Sequence, residues 1–334
     1  MRIGQQTSKF LAAAVAIAGV VLVVSRPDFL GDQAGRTVNA FRSANPLWIA
    51  AAFVAFALGY VSYVGSWRAS AAGMGMKLGF RPTLARLGIG SVVNTFAPAR
   101  AGDAVKIALM SETMSGPDKL WTAGGVYAAV AASRAAAVTV LTLVASSTGL
   151  LPAWPGMVIG AAVVSVAAAA RFSTRARRFK RAVHLVEGIA ALTQSPRRGA
   201  VLIGWALATT GARILAVAGL ASAFGLPRPF LVALLVVTAL DLSGALPLTP
   251  GNVGVASGAV MVALGTVGIS VAASLTISVA VQALETLVSL SAGAFGTVYL
   301  ARPVTIRPWL IRAGSLTAAG SAAALVGAVV MRFA

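Results

Sequence analysis

Apolar runs, each near the ~20 residues needed to cross hydrocarbon, recur along this 334-residue chain at about 8–25, 46–66, 120–146, 150–170, 199–223, 272–298 and 314–333. Short polar connections separate them. Two further apolar segments, 83–112 and 230–268, are interrupted by paired helix breakers. The first interruption reads Phe96-Ala97-Pro98-Ala99-Arg100-Ala101-Gly102-Asp103, and the second Ala245-Leu246-Pro247-Leu248-Thr249-Pro250-Gly251-Asn252. A broken helix at membrane depth survives only where protein or a wet cavity covers its freed backbone groups. The legs Leu84–Ala97 and Ala101–Met110 are too short to cross at ~1.5 Å per residue, so 83–112 predicts a re-entrant hairpin. Segment 230–268 is longer and more apolar; it suits either a second hairpin or two tilted full spans. Both versions return the chain to the side it left.

The pattern therefore predicts an all-α polytopic membrane protein with about seven spans and two re-entrant hairpins. Composition agrees: 58% of residues are hydrophobic and 10% charged, with a mean hydropathy of +0.87. Soluble domains carry roughly a quarter charged residues. The run Phe10–Val24 lacks a small-residue cleavage site and is followed by Asp28, Asp32 and Arg36, which predicts a retained first span, not a signal peptide. The chain has no cysteine, excluding disulfides and thiolate chemistry. The longest polar stretch, 171–198, is too short for a separate catalytic domain.

The net charge of +19 raises the question of nucleic acid, but the distribution of charge answers it. With the N-terminus inside, twenty Lys and Arg fall in cytoplasmic parts and five outside, while Arg134 and Arg213 lie within spans. That asymmetry predicts a plasma (inner) membrane protein with a cytoplasmic N-terminus. Within 171–198, apolar residues recur at helical spacing between Phe172 and Ala190, with Arg175, Arg178, Lys180 and Arg181 off that face. This predicts a basic interfacial helix on anionic lipid; His184, on the same segment, reads as a surface residue.

The two breaks stand 149 residues apart, Pro98 to Pro247. Under the predicted topology they enter from opposite sides, which divides the single membrane domain into an inverted repeat of the kind used by secondary transporters. Residues 1–45 hold the first span and outer loop, 46–170 repeat one with hairpin 83–112, 171–198 the basic segment, and 199–334 repeat two with hairpin 230–268.

Ionisable groups inside spans are costly and usually functional. Arg134, Arg213, Asp241 and Glu285 are the candidates, and the repeat offset carries Arg134 to within a helical turn of Glu285, predicting a charge pair across the repeat axis. Around the first break stand Asn94, Arg100, Asp103 and Lys106; around the second, Thr249 and Asn252. Helices restarting after each break would offer free N–H groups to an anion. Pro98, Gly102, Pro247, Pro250 and Gly251 are the expected helix-breaking residues. The charges around the first break predict that the cytoplasmic hairpin supplies the cationic wall of the site. No nucleotide-binding motif, Ser/His dyad or metal-ligand spacing is present, so no enzymatic activity, cofactor or metal is expected.

These residues resemble the lysylphosphatidylglycerol synthase/flippase transmembrane family. Its first motif, similar to Asn-x-x-x-Pro-x-Arg-x-Gly-Glu-x-x-Arg, is matched by Asn94, Pro98, Arg100, Gly102, Asp103 and Lys106, with conservative changes at the last two. A later Glu-Arg pair matches Ser133-Arg134, and Pro-x-Thr-Pro-Gly-Gly-x-Gly-Val-x-Glu is matched from Pro247 to Ser257. Ser257 stands where the family has glutamate, and Glu285 near where it often has arginine.

The resemblance implies movement of a lipid, for example an aminoacylated phosphatidylglycerol, between leaflets; synthesis of that lipid is not expected of this sequence, in which nothing resembles the aminoacyl-transferase part of two-part members. The expected function is a flippase for an anionic or aminoacylated phospholipid, with membrane phospholipids as partners and no nucleic acid. A small-solute or ion transporter, or a non-transporting partner of a lipid-modifying or glycosyl-transferring enzyme, stands as the alternative. Gly314, Gly320 and Gly327 in the last span form a small-residue face suited to packing within the protomer or in a homo-oligomer.

Overall fold

In the computed structural model the described residues are 43–97, 101–115, 118–147, 195–243 and 253–300, with a few isolated positions besides. They form eight helices: α1 (Pro46–Gly73), α2 (Phe80–Phe96), α3 (Ala101–Ser111), α4 (Lys119–Ser147), α5 (Pro196–Ala223), α6 (Pro229–Ser243), α7 (Val253–Gly265) and α8 (Val271–Leu300). The expected spans 8–25 and 314–333, nearly all of 150–170, and the basic segment with His184 lie outside the described residues.

The signals that bound α1 recur at α5. Asn45 caps α1 by accepting from the Leu47 N–H at 3.0 Å, and Pro46 fills the first helical position; Ser195 and Pro196 stand at the start of α5. Proline there loses no intrahelical bond. Both helices end in the same wrap, with the Met76 N–H reaching the Ala71 carbonyl and the Leu226 N–H reaching Ala221. Gly75 and Gly225 supply the left-handed backbone this requires, at φ 82° and 66°. Helix α1 thus continues past 66, where the apolar run had seemed to stop. Trp67 is fully buried and the Arg68 guanidinium donates to the Leu78 carbonyl, so neither terminates the helix.

Helices α1, α4, α5 and α8 are long and apolar enough to cross a membrane. At ~1.5 Å per residue, α2, α3, α6 and α7 reach only about 26, 17, 23 and 20 Å, short of the ~30 Å hydrocarbon layer. Long, short, short, long therefore occurs twice, with helix lengths of 28, 17, 11 and 29 residues and then 28, 15, 13 and 30. Bands of exposed apolar residues, including Val54, Leu58, Leu143, Leu215, Leu287 and Val298, line the outer faces of the long helices. With its apolar spans, this is a membrane protein.

The most extensive packing is α1 against α5. Gly59 lies against Ala212, Gly65 against Trp205, and Gly219 against Ala52, an antiparallel register held along the pair. The ends agree, with the Asn45 N–H on the Ala223 carbonyl and Arg198 on the Gly73 carbonyl, each at 3.2 Å. Helix α2 packs on α8, also antiparallel, through Gly88 against Ala292 and Gly296 against Ala85. Two apolar clusters result. One joins α1 to α2, α3 and α4 around Trp67, Leu87, Met110 and Val126. The other joins α1, α5, α6, α7 and α8 around Leu220, Val236, Leu264 and Ile277.

Candidate functional site

Among the described residues two charged clusters interrupt this apolar packing. The first is built where α2, α3 and α4 meet. Gly90 and Gly102 bring α2 and α3 into backbone contact: a Cβ on Gly102 would strike the Gly90 carbonyl and Asn94. Gly102 is therefore a close-approach residue inside α3, not part of the interruption, because the helix has already begun at Ala101. Asp103 sits in the first turn of α3, where unpaired N–H groups favour a carboxylate. Its Oδ1 accepts from Asn94 Nδ2 at 2.6 Å and Lys106 Nζ at 3.0 Å, and its Oδ2 from the Tyr127 hydroxyl at 2.8 Å.

Lys106 is 6% exposed, and its ammonium lies 5.5 Å from the centre of the Tyr63 ring. Tyr63 packs edge-on against Trp67, and Trp67 against Tyr127. Three of the four tyrosines in the chain, Tyr60, Tyr63 and Tyr127, stand in this region. Of the expected cationic wall, Lys106 is described: its charge is matched by Asp103 and roofed by an aromatic ring. Pro98 and Arg100 lie outside the described residues. Replacing Tyr127 by phenylalanine is expected to lower stability by about 1.5–3 kcal/mol, the range for a hydrogen bond to a charged group, read as a fall in the melting midpoint in detergent.

The second cluster is a chain of four charges from four helices. Arg134 of α4 donates to Asp241 Oδ1 at 2.5 Å, and Arg213 of α5 donates to the same oxygen at 2.7 Å. Arg213 Nε also meets Glu285 Oε1 of α8 at 3.1 Å. Arg134, Arg213 and Glu285 lie near the midpoints of their 28–30-residue helices, so the chain of charges crosses the middle of the bundle. Its centre is buried, with Arg213 and Asp241 side chains 13% and 12% exposed. Its ends are open, Arg134 at 41% and Glu285 at 38%.

The four expected residues are brought together, but the pairing differs from the expected one. Arg134 binds Asp241 and Glu285 binds Arg213, so the residues matched by the repeat offset are the two ends of the chain. The reason is geometric: α6 brings Asp241 between the two arginines. Helices α4 and α6 touch little besides this bridge, whereas their counterparts in sequence order, α8 and α2, pack along their length.

Beside Glu285, the Ser278 hydroxyl donates to Ser257 at 2.9 Å, and Gln282 Nε2 lies 3.2 Å from both hydroxyls. Ser257, where a glutamate was the expected family residue, belongs to this neutral group. Thr249, Asn252, Pro247, Pro250 and Gly251 lie outside the described residues. Among the described residues no group of three or more His, Asp or Glu is placed to hold a metal ion. The sequence reading missed Tyr63, Trp67, Tyr127, Ser278 and Gln282. Tyrosines and a tryptophan at 60, 63 and 67, and polar residues at 274, 278, 282 and 285, repeat at helical spacing and were the available signals.

Residues 10–293 match the profile of the family described as Lysylphosphatidylglycerol synthase TM region. No curated protein matches the chain.

Proposed function

From the premise that the chain belongs to the lysylphosphatidylglycerol synthase transmembrane-region family, we propose that it is a flippase moving an anionic or aminoacylated phospholipid between leaflets. The observation that carries this reading is the four-residue charge chain at mid-bundle, closed at its centre and open at Arg134 and Glu285. A dry, purely structural network would be sealed at both ends. Intramembrane charges that remain open instead suit a headgroup path. The open cation, Arg134, lies where α4 and α6 barely meet, and in this reading a headgroup approaches it laterally there while its acyl chains stay in the bilayer.

In this reading the twice-repeated helix order and the antiparallel α1 and α5 are two inverted halves, and α2–α3 and α6–α7 are the re-entrant hairpins. Arg134 and Arg213, with Arg100, serve phosphate, while Lys106 is held by Asp103 beneath the Tyr63 ring. Asp103, Asp241 and Glu285 balance charge or meet a cationic headgroup, while Asn94, Thr249 and Asn252 supply polar contacts. The protein resides in the inner membrane with a cytoplasmic N-terminus, performs no covalent chemistry, and moves lipid passively or with an ion.

The test is headgroup-specific translocation in proteoliposomes containing phosphatidylglycerol, its lysyl ester and phosphatidylethanolamine. Wild type is expected to move an anionic or aminoacylated lipid, and Arg134→Gln to lose most of that rate while remaining folded. Failure of wild type to move any lipid overturns the reading. An Arg134→Gln variant as active as wild type removes Arg134 from the site.

A further inference from the structure

Helix hydroxyls in apolar surroundings ordinarily satisfy themselves by donating to the carbonyl one turn back. On α8, Thr276, Ser291 and Thr297 do so, to Ala272, Leu287 and Gly293. Ser274 and Ser278 do not follow them. The Ser274 hydroxyl, on a fully buried side chain, makes no hydrogen bond to protein, and Ser278 turns instead to Ser257 of α7. One helical turn further, Gln282 holds both hydroxyls through Nε2, while its buried Oε1 has no partner. Next on the same face stands Glu285, joined through Arg213 to Asp241, whose buried Oδ2 is likewise unpartnered.

Residues 274, 278, 282 and 285 share one face of α8, at steps of four, four and three. Ser274 and Glu285 are eleven residues apart, about 17 Å along the axis at ~1.5 Å per residue. Because α8 runs antiparallel to α2, its N-terminal part, with Ser274, lies toward the bundle end opposite Arg198 and Gly73. Three buried polar atoms without a protein partner, Ser274 Oγ, Gln282 Oε1 and Asp241 Oδ2, are thus spaced from that end to mid-bundle, with the Ser257 and Ser278 hydroxyls between the first two. Buried polar groups left open by protein are ordinarily satisfied by ordered water, which needs two to four such partners.

We propose that Ser274, Ser278, Ser257 and Gln282 line a water track that carries protons to Glu285, and that transport is proton-coupled. The proton adds to the Glu285 carboxylate and gives a neutral acid. Among the described residues the charged group that Glu285 contacts is Arg213 of α5, which joins it to Asp241 of α6 and Arg134 of α4. Helix α7 contributes the uncharged Ser257, and α2, packed most extensively on α8, carries Arg81 and Arg86 but neither Asp nor Glu over Phe80–Phe96. Neutralising Glu285 leaves Arg213 with Asp241 alone, and the two arginines then outnumber their acids. The protonated state accordingly favours an anionic headgroup at Arg134, and loss of the proton releases it.

The coupling rests on the transport reading; the track does not, and the experiments separate them. The chain has no cysteine, so Ser274→Cys, Ser278→Cys and Ile277→Cys can each be reconstituted and exposed to silver ion, which is small enough to follow water. Protection from later alkylation is expected to be several-fold faster at 274 and 278 than at 277, whose side chain is equally buried. Equal rates at the three positions, or no protection at any, overturn the track. In lipid-translocating vesicles, an imposed pH gradient is expected to speed wild type several-fold. Gln282→Leu is expected to keep the gradient-free rate and lose the acceleration. A wild type indifferent to the gradient, or a Gln282→Leu variant that responds in full, overturns proton delivery. Wild type that moves no lipid overturns the transport reading instead, and silver access then decides the track by itself.

Discussion

Asp241→Ala is expected to lower the stability of the folded protein by about 3 kcal/mol, near the lower end of what removing one partner of a buried ion pair costs. Oxygen Oδ1 of Asp241 accepts from both Arg134 and Arg213. Its loss strands the buried Arg213 with only the half-open Glu285. The Arg134 share of the effect is smaller, because that side chain is 41% exposed and solvent screens it. Thermal unfolding in detergent measures the change, and Asp241→Asn, which keeps the acceptor oxygen without the charge, is expected to fall between alanine and wild type. Replacing all four residues together with apolar or amide groups of similar volume, as Arg134→Met, Arg213→Met, Asp241→Leu and Glu285→Gln, is expected to recover most of the stability, since a buried network often breaks even against a packed core. The same quadruple variant is expected to move no lipid. An Asp241→Ala protein that melts with wild type would mean that the four charges do not act as one unit.

That network also marks how far the sequence could be read. Arg134, Arg213, Asp241 and Glu285 were legible as candidates because charges are rare in apolar runs and costly at depth. Their connectivity was not. Arg134 and Asp241 are 107 residues apart, and the choice between Asp241 and Glu285 is made by how α6, packed on α5, carries Asp241 to both arginines. The long helices were legible from hydropathy, but the end of α1 was not. By hydropathy the apolar run ends at 66, whereas the Arg68 guanidinium reaches the Leu78 carbonyl and the helix runs on to Gly73. Gly102 misled in a related way. Glycine is both a helix breaker and the residue that lets two helices touch, and sequence does not distinguish these uses; the Gly90 carbonyl opposite it does. The Lys106 charge was visible, but its partners were not, since Asp103 and the Tyr63 ring turn a surface-like cation into a buried, matched one.

Gly88→Ala and Gly296→Ala are each expected to destabilise the protein by about 1–3 kcal/mol, the range for forcing extra volume into a packed interior. A Cβ on Gly88 would meet the Ala292 carbonyl group, and one on Gly296 would meet that of Ala85. These obstacles are backbone on both sides, so relief requires α2 and α8 to move apart as whole helices. Such small-residue contacts are how membrane helices approach closely when apolar side chains gain nothing by leaving lipid. Gly204→Ala in α5 is the control, because no heavy atom lies within 4 Å of its added Cβ, and removing a mid-helix glycine there is expected to be neutral or stabilising. Thermal unfolding ranks the three. The functional consequence follows from the unequal seams among the described residues, extensive between α2 and α8 and slight between α4 and α6. If the two halves exchange these arrangements as lipid crosses, wedging α2 from α8 removes the contact that defines one end state. Gly88→Ala is then expected to slow translocation more than its loss of stability accounts for, while Gly204→Ala keeps the wild-type rate. Equal translocation by Gly88→Ala and wild type at a temperature where both are folded would show that the α2–α8 seam only stabilises the bundle and takes no part in the transport cycle.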